Sequence, residues 1–289
     1  MNKWIISSMV LVGLVFAVAT AARLTKIEEQ VEANGVEQVD VQLRLAVGKF
    51  ELNNLTGSKG VIAEFEGDYD ESKYEYSHTF EHQGRRGTFV FESELVNQRG
   101  PTKLEGDENR WEFSFTPEAD CRFDIEVGAA NAEFDFGDLT VSDMQLDIGA
   151  AEVIIDFSTP NRTVLRDLKI DAGACDLEMR NLGNSRFEFL TFDGGMGSFT
   201  LDFTGDFDFE AEASIDVGLG SIDIIIPEDI GVRIEAEEHW FNSIDFPKKS
   251  FSKVRGDDDV WESDNFKTAK GRLTLVLDVG MGSADISFR

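Results

Sequence analysis

The stretch Thr191-Phe-Asp-Gly-Gly-Met-Gly-Ser-Phe-Thr-Leu-Asp-Phe203 decides the fold, because the chain says it again and again. Earlier copies read Asp124-Ile-Glu-Val-Gly-Ala-Ala-Asn-Ala-Glu-Phe-Asp-Phe136, Gln145-Leu-Asp-Ile-Gly-Ala-Ala-Glu-Val-Ile-Ile-Asp-Phe157 and Lys169-Ile-Asp-Ala-Gly-Ala-Cys-Asp-Leu-Glu-Met179. Two more follow at Ser214–Ile226 and Leu277–Phe288, and a weaker one, Leu45–Leu52, comes before. The aligned glycines Gly128, Gly149, Gly173, Gly195 and Gly218 stand 21, 24, 22 and 23 residues apart. A period in that range marks stacked structural units. Within each copy apolar and polar residues alternate at period two, meet a small residue, then alternate again, which reads as strand, tight corner, strand.

Chemistry explains the spacing. Glycine at the corner adopts backbone angles that other residues enter only at a cost. Two positions later stand Ala130, Ala151, Cys175, Gly197, Gly220 and Gly282, all small, as expected where two walls come close. Ile125, Val127, Leu146, Ile148, Ile170, Phe192, Ile215, Val217, Leu277 and Val279 form an inward stripe that one rung cannot bury alone but a stack can. The predicted fold is therefore all-β: a single-stranded β-solenoid of 21–24-residue rungs with an N-terminal β cap.

Two residues before each aligned glycine sits an acid: Glu126, Asp147, Asp171, Asp193, Asp216 and Asp278. Stacked, these form a ladder at about 4.7–4.9 Å. Carboxylates that close repel by roughly 1 kcal/mol in a water-like dielectric. A solvated outer face that keeps the strands soluble is one reading. The other is a column of calcium or magnesium sites, with Asp147, Asp171, Asp193, Asp216 and Asp278 as candidate ligands, since hard cations take carboxylate oxygens. No calcium-loop spacing backs the second reading.

Met1–Ala22 has a short positive start at Lys3, an apolar run over Trp4–Val18 and small residues at Ala19–Ala22. That is a signal peptide, or an uncleaved membrane anchor. No cysteine follows for a lipoprotein linkage. Export to the periplasm or cell surface follows, with membrane contact only through residues 1–22. The net charge is −29, and residues 121–226 hold 22 Asp or Glu against 6 Lys or Arg. Such a surface repels phosphate backbones and anionic lipids, so nucleic acid is excluded as a partner.

Arg23–Asn34 reads as a polar lead-in. Strands are predicted over Val39–Leu45, Val61–Gly67, Tyr74–Glu81, Thr88–Leu95 and Trp111–Thr116, with Gly48 marking the first rung. Residues 23–120 form the capping segment and residues 121–289 the repeat, with an excursion at 237–265. The chain ends on an open rung at Arg289, which invites pairing. Either the N-terminal segment or the excursion folds over that end, or another chain docks there. The expected partners are an envelope protein, or a second copy through the terminal rung.

No catalytic set stands out. His78, His82 and His239 are the histidines; His78 and His82 share a strand face but lack a third zinc ligand. There is no Gly-x-Ser-x-Gly elbow and no phosphate loop. The Gly-x-Gly of Gly195–Gly197, Gly218–Gly220 and Gly280–Gly282 opens strands rather than a helix. Arg255-Gly-Asp257 is a three-residue match of the sort chance supplies. Cys121 and Cys175 can pair in an oxidising compartment, yet Cys175 replaces a small stacked residue, the habit of a buried free thiol.

Ile215-Asp-Val-Gly-Leu-Gly-Ser-Ile-Asp-Ile-Ile-Ile-Pro-Glu-Asp-Ile-Gly-Val-Arg-Ile234 resembles the C-terminal domain of the LiaF-like, or toast-rack, proteins. So does Val260–Ile286, with its Trp-Glu-Ser-Asp-Asn-Phe turn and final Val-Gly-Met-Gly-Ser rung. Val39–Glu94 resembles the N-terminal toast-rack segment. The resemblance implies a bacterial envelope protein with a β-solenoid. Some relatives are linked to responses to cell-wall-active antibiotics, where a membrane-bound member restrains a sensor kinase; this sequence lacks their multi-helix membrane domain. The family carries no established catalytic residues to transfer. A non-enzymatic interaction scaffold or sensor in envelope homeostasis is the leading expectation, with a cation-binding surface or adhesion module as the alternative. A solenoid polysaccharide lyase needs clustered basic residues, and residues 121–226 carry the wrong sign.

Overall fold

A computed structural model of the chain describes residues 24–57, 59–96, 109–236 and 242–289. The segment Met1–Ala22 and His239 lie outside the described residues. The described chain is all-β, as expected, with a short α-helix at Leu182–Ser185 and a single 3-10 turn at Lys248–Ser250 among the described residues.

In chain order the strands are β1 (Leu24–Glu32), β2 (Gln38–Asn54), β3 (Val61–Asp70), β4 (Tyr74–Gln83), β5 (Arg86–Leu95), β6 (Asn109–Phe115), β7 (Asp120–Asp135), β8 (Thr140–Ile148) and β9 (Glu152–Asp156). They continue with β10 (Leu165–Arg180), β11 (Phe187–Asp202), β12 (Glu210–Ile226), β13 (Gly231–Ala236), β14 (Asn242–Asp245), β15 (Phe251–Lys253), β16 (Val260–Ser263) and β17 (Arg272–Phe288). The repeats stack in parallel and in register, in the spatial order β2, β7, β8 with β9, β10, β11, β12, β17. Most repeats are one long strand bent at the glycine rather than two strands. The exception is the repeat Gln145–Phe157, where the bend breaks it into β8 and β9. Both halves pair with β7 and with β10, so these four strands close a ring of hydrogen-bonded neighbours.

The bend folds each repeat onto itself. On β12, Ala213, Ile215 and Val217 before the corner and Ile222, Ile224 and Ile226 after it are all buried. Every residue of the predicted inward stripe is at most 3% exposed. At about 25 cal/mol per Å² of apolar surface removed from water, this stripe is the main force holding rung to rung.

The glycines sit where the backbones nearly touch. A Cβ on Gly149 would stand 2.7 Å from the Gly128 carbonyl oxygen, one on Gly195 2.6 Å from that of Gly173, and one on Gly280 2.5 Å from that of Gly218. The second small column is tighter still: a Cβ on Gly220 would lie 1.9 Å from the Gly197 oxygen. The first rung is offset from its predicted alignment. Ala46, not Gly48, faces Gly128, while Gly48 pairs with Ala130 in the second column.

The N-terminal end is closed by two small units. Hairpin β4–β5 lays β5 along the first half of β2, and β6 covers its second half. The expected lead-in 24–32 is instead a strand, β1, antiparallel to β3, which in turn pairs with β6. Between them Tyr76, Phe91 and Trp111 pack with ring centroids 4.7 and 4.8 Å apart around the indole. Trp111 is fully buried because its Nε1–H finds Asn109 Oδ1 at 2.7 Å.

The terminal rung is not open. β17 is paired with β12 on one side and with β13 and β14 on the other. The excursion supplies only part of this cover: β13, which precedes it, lies along Arg272–Leu277, and β14 from the excursion lies along Gly282–Asp285. β16 then pairs antiparallel with β13, and β15 with β16. Over Arg272–Leu277 and Gly282–Asp285, β17 thus has hydrogen-bonded neighbours on both edges.

Candidate functional site

The register turns the predicted acidic ladder into a physical column. Glu126 pairs with Asp147, Asp147 with Asp171, Asp171 with Asp193, Asp193 with Asp216, and Asp216 with Asp278. All point outward; Asp147 is half-buried and the others are exposed. The Asp216 carboxyl is raised above the usual carboxylate range, first by its partial burial and then by the charges of Asp278 and Asp193 above and below it.

Arg44 heads the column, in register with Glu126. It donates to Asp124 through Nη1 and Nη2 at 3.1 and 3.0 Å, and its Nε lies 3.1 Å from Glu126 Oε1. Nη1 also donates to the Asp124 backbone oxygen at 3.0 Å. These bonds, that to the Asp124 side chain foremost, hold the guanidinium more firmly charged than usual against its partial burial. The sequence reading missed Arg44; its signal was a lone arginine at the column position of the first rung.

Among the described residues, carboxylate oxygens converge at Asp124, Glu126 and Asp147, within 4.8 Å of one another. Two of these three acids already hold Arg44, which supplies the positive charge a cation would bring. Around Asp171, Asp193, Asp216 and Asp278 no third ligand converges among the described residues. A groove of about 820 Å³ runs beside the column. It passes from Arg44 and Ser93 over Glu126, Asp147 and Asp171 to Asp193, floored by the glycine corners of successive rungs.

The remaining candidates are structural. His78 Nε2 lies 3.3 Å from Glu29 Oε2, and Tyr76 donates to the other oxygen of Glu29 at 2.9 Å. His82 stacks on Phe80 at 5.9 Å. Cys121 and Cys175 are free and buried rather than paired. Burial, helped by Asp120, pushes the Cys121 thiol up to about 12, and burial with Asp176 pushes Cys175 up to about 11.

Sequence reasoning also missed the second bend of each rung. Asn161 is 3% exposed, accepts from the Val141 N–H at 3.0 Å, and donates to the Val141 and Ser185 carbonyls at 2.7 and 3.0 Å. One rung on, Asn184 donates to the Phe157 oxygen at 2.8 Å and accepts from the Asp206 N–H at 2.9 Å. Their separation of 23 residues, one repeat, was the available clue. No helix among the described residues is long and apolar enough to cross a membrane.

Comparison with known proteins places this arrangement. Residues 20–164 match the family described as the N-terminal domain of toast_rack, and residues 177–286 that described as cell wall-active antibiotics response LiaF, C-terminal. No curated protein matches the chain. A solved structure of a candidate cell adhesion protein from Clostridium sporogenes is 14% identical, with a TM-score of 0.49, covering 92% of this chain and 100% of that one. A candidate adhesin from Bacteroides fragilis is 11% identical at a TM-score of 0.35, with 92% and 97% covered. A candidate lipid binding protein from Parabacteroides distasonis is also 11% identical at 0.35, with 91% and 96% covered. Since the two families together cover nearly the whole length, the chain belongs to the toast-rack/LiaF-like family.

Proposed function

We propose that this is an exported, non-enzymatic protein of the bacterial envelope whose parallel stack, read as a single-stranded β-solenoid, serves as an interaction scaffold. In this reading residues 1–22 are a signal peptide or N-terminal anchor, 23–120 cap the stack, and 121–289 form it. The observation that carries the proposal is the groove along five rungs, from Arg44 to Asp193. A surface repeated rung by rung suits an extended partner. Its polar lining is carboxylate, one arginine and one serine, a set for holding a partner by charge. Family membership supports the envelope setting.

Affinity capture tests it. The chain, immobilised and exposed to envelope extract, is expected to retain an envelope protein, and Glu126→Lys with Asp171→Lys in the groove should release it. Retention of nothing, or retention indifferent to both changes, sinks the reading. A cation-binding module is the second reading, favoured by the stacking of Asp193, Asp216 and Asp278, whose charges add to burial in raising the Asp216 carboxyl. Calorimetric titration with calcium and magnesium decides it: saturable heat with a raised melting temperature supports it, and no heat removes it.

A further inference from the structure

The corner residue between the two small columns changes character along the stack. In the earlier rungs it is Ala129, Ala150 and Ala174, and a methyl group satisfies the bend. In the next three it is Met196, Leu219 and Met281, which are 54%, 40% and 59% exposed. Register places these three in consecutive rungs, with Ala174 next to Met196. They form a continuous apolar ridge about 10 Å long. Nothing in the corner requires it, since alanine does the same work elsewhere. Single exposed apolar residues are ordinary, but three stacked in adjacent rungs are a patch.

The surroundings say what kind of partner fits. Asp193, Asp216 and Asp278 flank the ridge on one arm. On the other arm Asp223 and Asp285 flank it, with Thr200 at the Met196 rung and Asp245 continuing the line one strand beyond. Residues 187–226 hold nine Asp or Glu and no Lys or Arg, and residues 273–288 hold two acids and no base. An apolar spine between two acidic columns repels anionic lipid and complements a segment with an apolar stripe edged by positive charge.

We propose that this ridge docks a basic amphipathic helix of another protein. A helix advances 5.4 Å per turn and the rungs 4.7–4.9 Å, so a helix lying along the ridge drifts by only about 1 Å over two intervals. One apolar side chain per turn then meets Met196, Leu219 and Met281 in succession, while lysines or arginines on both shoulders face the carboxylates. The inference rests on the scaffold reading above and names a surface and a partner class for it.

The test uses the whole chain and a synthetic Leu/Lys amphipathic helix of about five turns, followed by fluorescence anisotropy. The peptide is expected to bind, more weakly as salt rises. Met196→Ser, Leu219→Ser and Met281→Ser together should weaken binding about tenfold or more with unchanged melting. Leu219→Ser alone, at the ridge centre, provides the reading if the triple variant melts early. Asp193→Asn with Asp216→Asn and Asp278→Asn should flatten the salt dependence. Equal binding of a Leu/Glu peptide, or binding indifferent to the ridge, overturns the proposal. So does ridge-dependent retention on phosphatidylcholine vesicles without peptide binding, which assigns the ridge to a lipid surface. Loss of the ridge with continued groove-dependent capture from envelope extract overturns the helix proposal alone.

Discussion

Substituting Gly220 by alanine isolates what the small column does. The new Cβ would stand 1.9 Å from the Gly197 carbonyl oxygen, where ordinary contact begins at 3.4 Å, so the two rungs must part by about 1.5 Å. Neither atom can rotate away, because both belong to strand backbones in register with each other. Parting them stretches the ladder bonds on either side. Alanine must also adopt a φ of +142°, a further strain of about 1–2 kcal/mol. With overpacking at about 1–3 kcal/mol, the loss is about 3–4 kcal/mol. At about 2–4 °C per kcal/mol for a chain of this size, melting should fall by about 10 °C. The control is Gly35→Ala, at φ +80° with nothing within 4 Å of its Cβ, where strain alone acts and about 1 kcal/mol is expected. Thermal melting by circular dichroism reads both variants. If Gly220→Ala melts within about 2 °C of Gly35→Ala, close approach of the rungs is not what selects glycine.

Asn161→Leu strands the Val141 N–H and two carbonyls in the core, and guanidinium unfolding should show a loss of about 3 kcal/mol. Asp216 has a folded-state carboxyl raised above its unfolded value, so its charged form works against folding above that value and the penalty fades as pH falls. Asp216→Asn should therefore raise the melting temperature at pH 7, with the gain shrinking towards pH 3 and in high salt. Cys121 and Cys175, pushed up to about 12 and about 11 and buried, should resist iodoacetamide at pH 8 and label only as the chain unfolds. Labelling faster than global unfolding would contradict their burial.

The repeated core was legible because its physics is local and periodic. Alternation at period two marked which of Ile125, Val127 and Ile215 go inward, and the recurring acid announced the column from Glu126 to Asp278. The first rung was harder to align. Leu45–Leu52 carries its glycine in the second small column rather than the first, and only its pairing with Ala130 reveals that. β1 was hidden because only two of its inward positions, Ile27 and Val31, are apolar while the other two are Thr25 and Glu29, so 24–32 reads as polar. The Arg44 bridge depends on a contact across 80 residues, and no local pattern announces such a pair. The covering of β17 by β13 and β14 was open for the same reason, since a strand's neighbours on its far edge leave no mark on its own alternation.

That covering makes the end of the stack depend on its last strand. β17 follows β13 in the chain but lies between it and β12, so β13 reaches the stack only through β17. Until residues 272–288 arrive, β12 presents a bare parallel edge, and β13 has only β16 as a partner. Closure of this end is thus a long-range event, joining Arg272 to Glu210 and Gly231, and the loops between must close before the contacts reward them. A chain cut short of residue 272 would keep the earlier rungs paired yet leave that edge open, the state most prone to pair with a wrong strand.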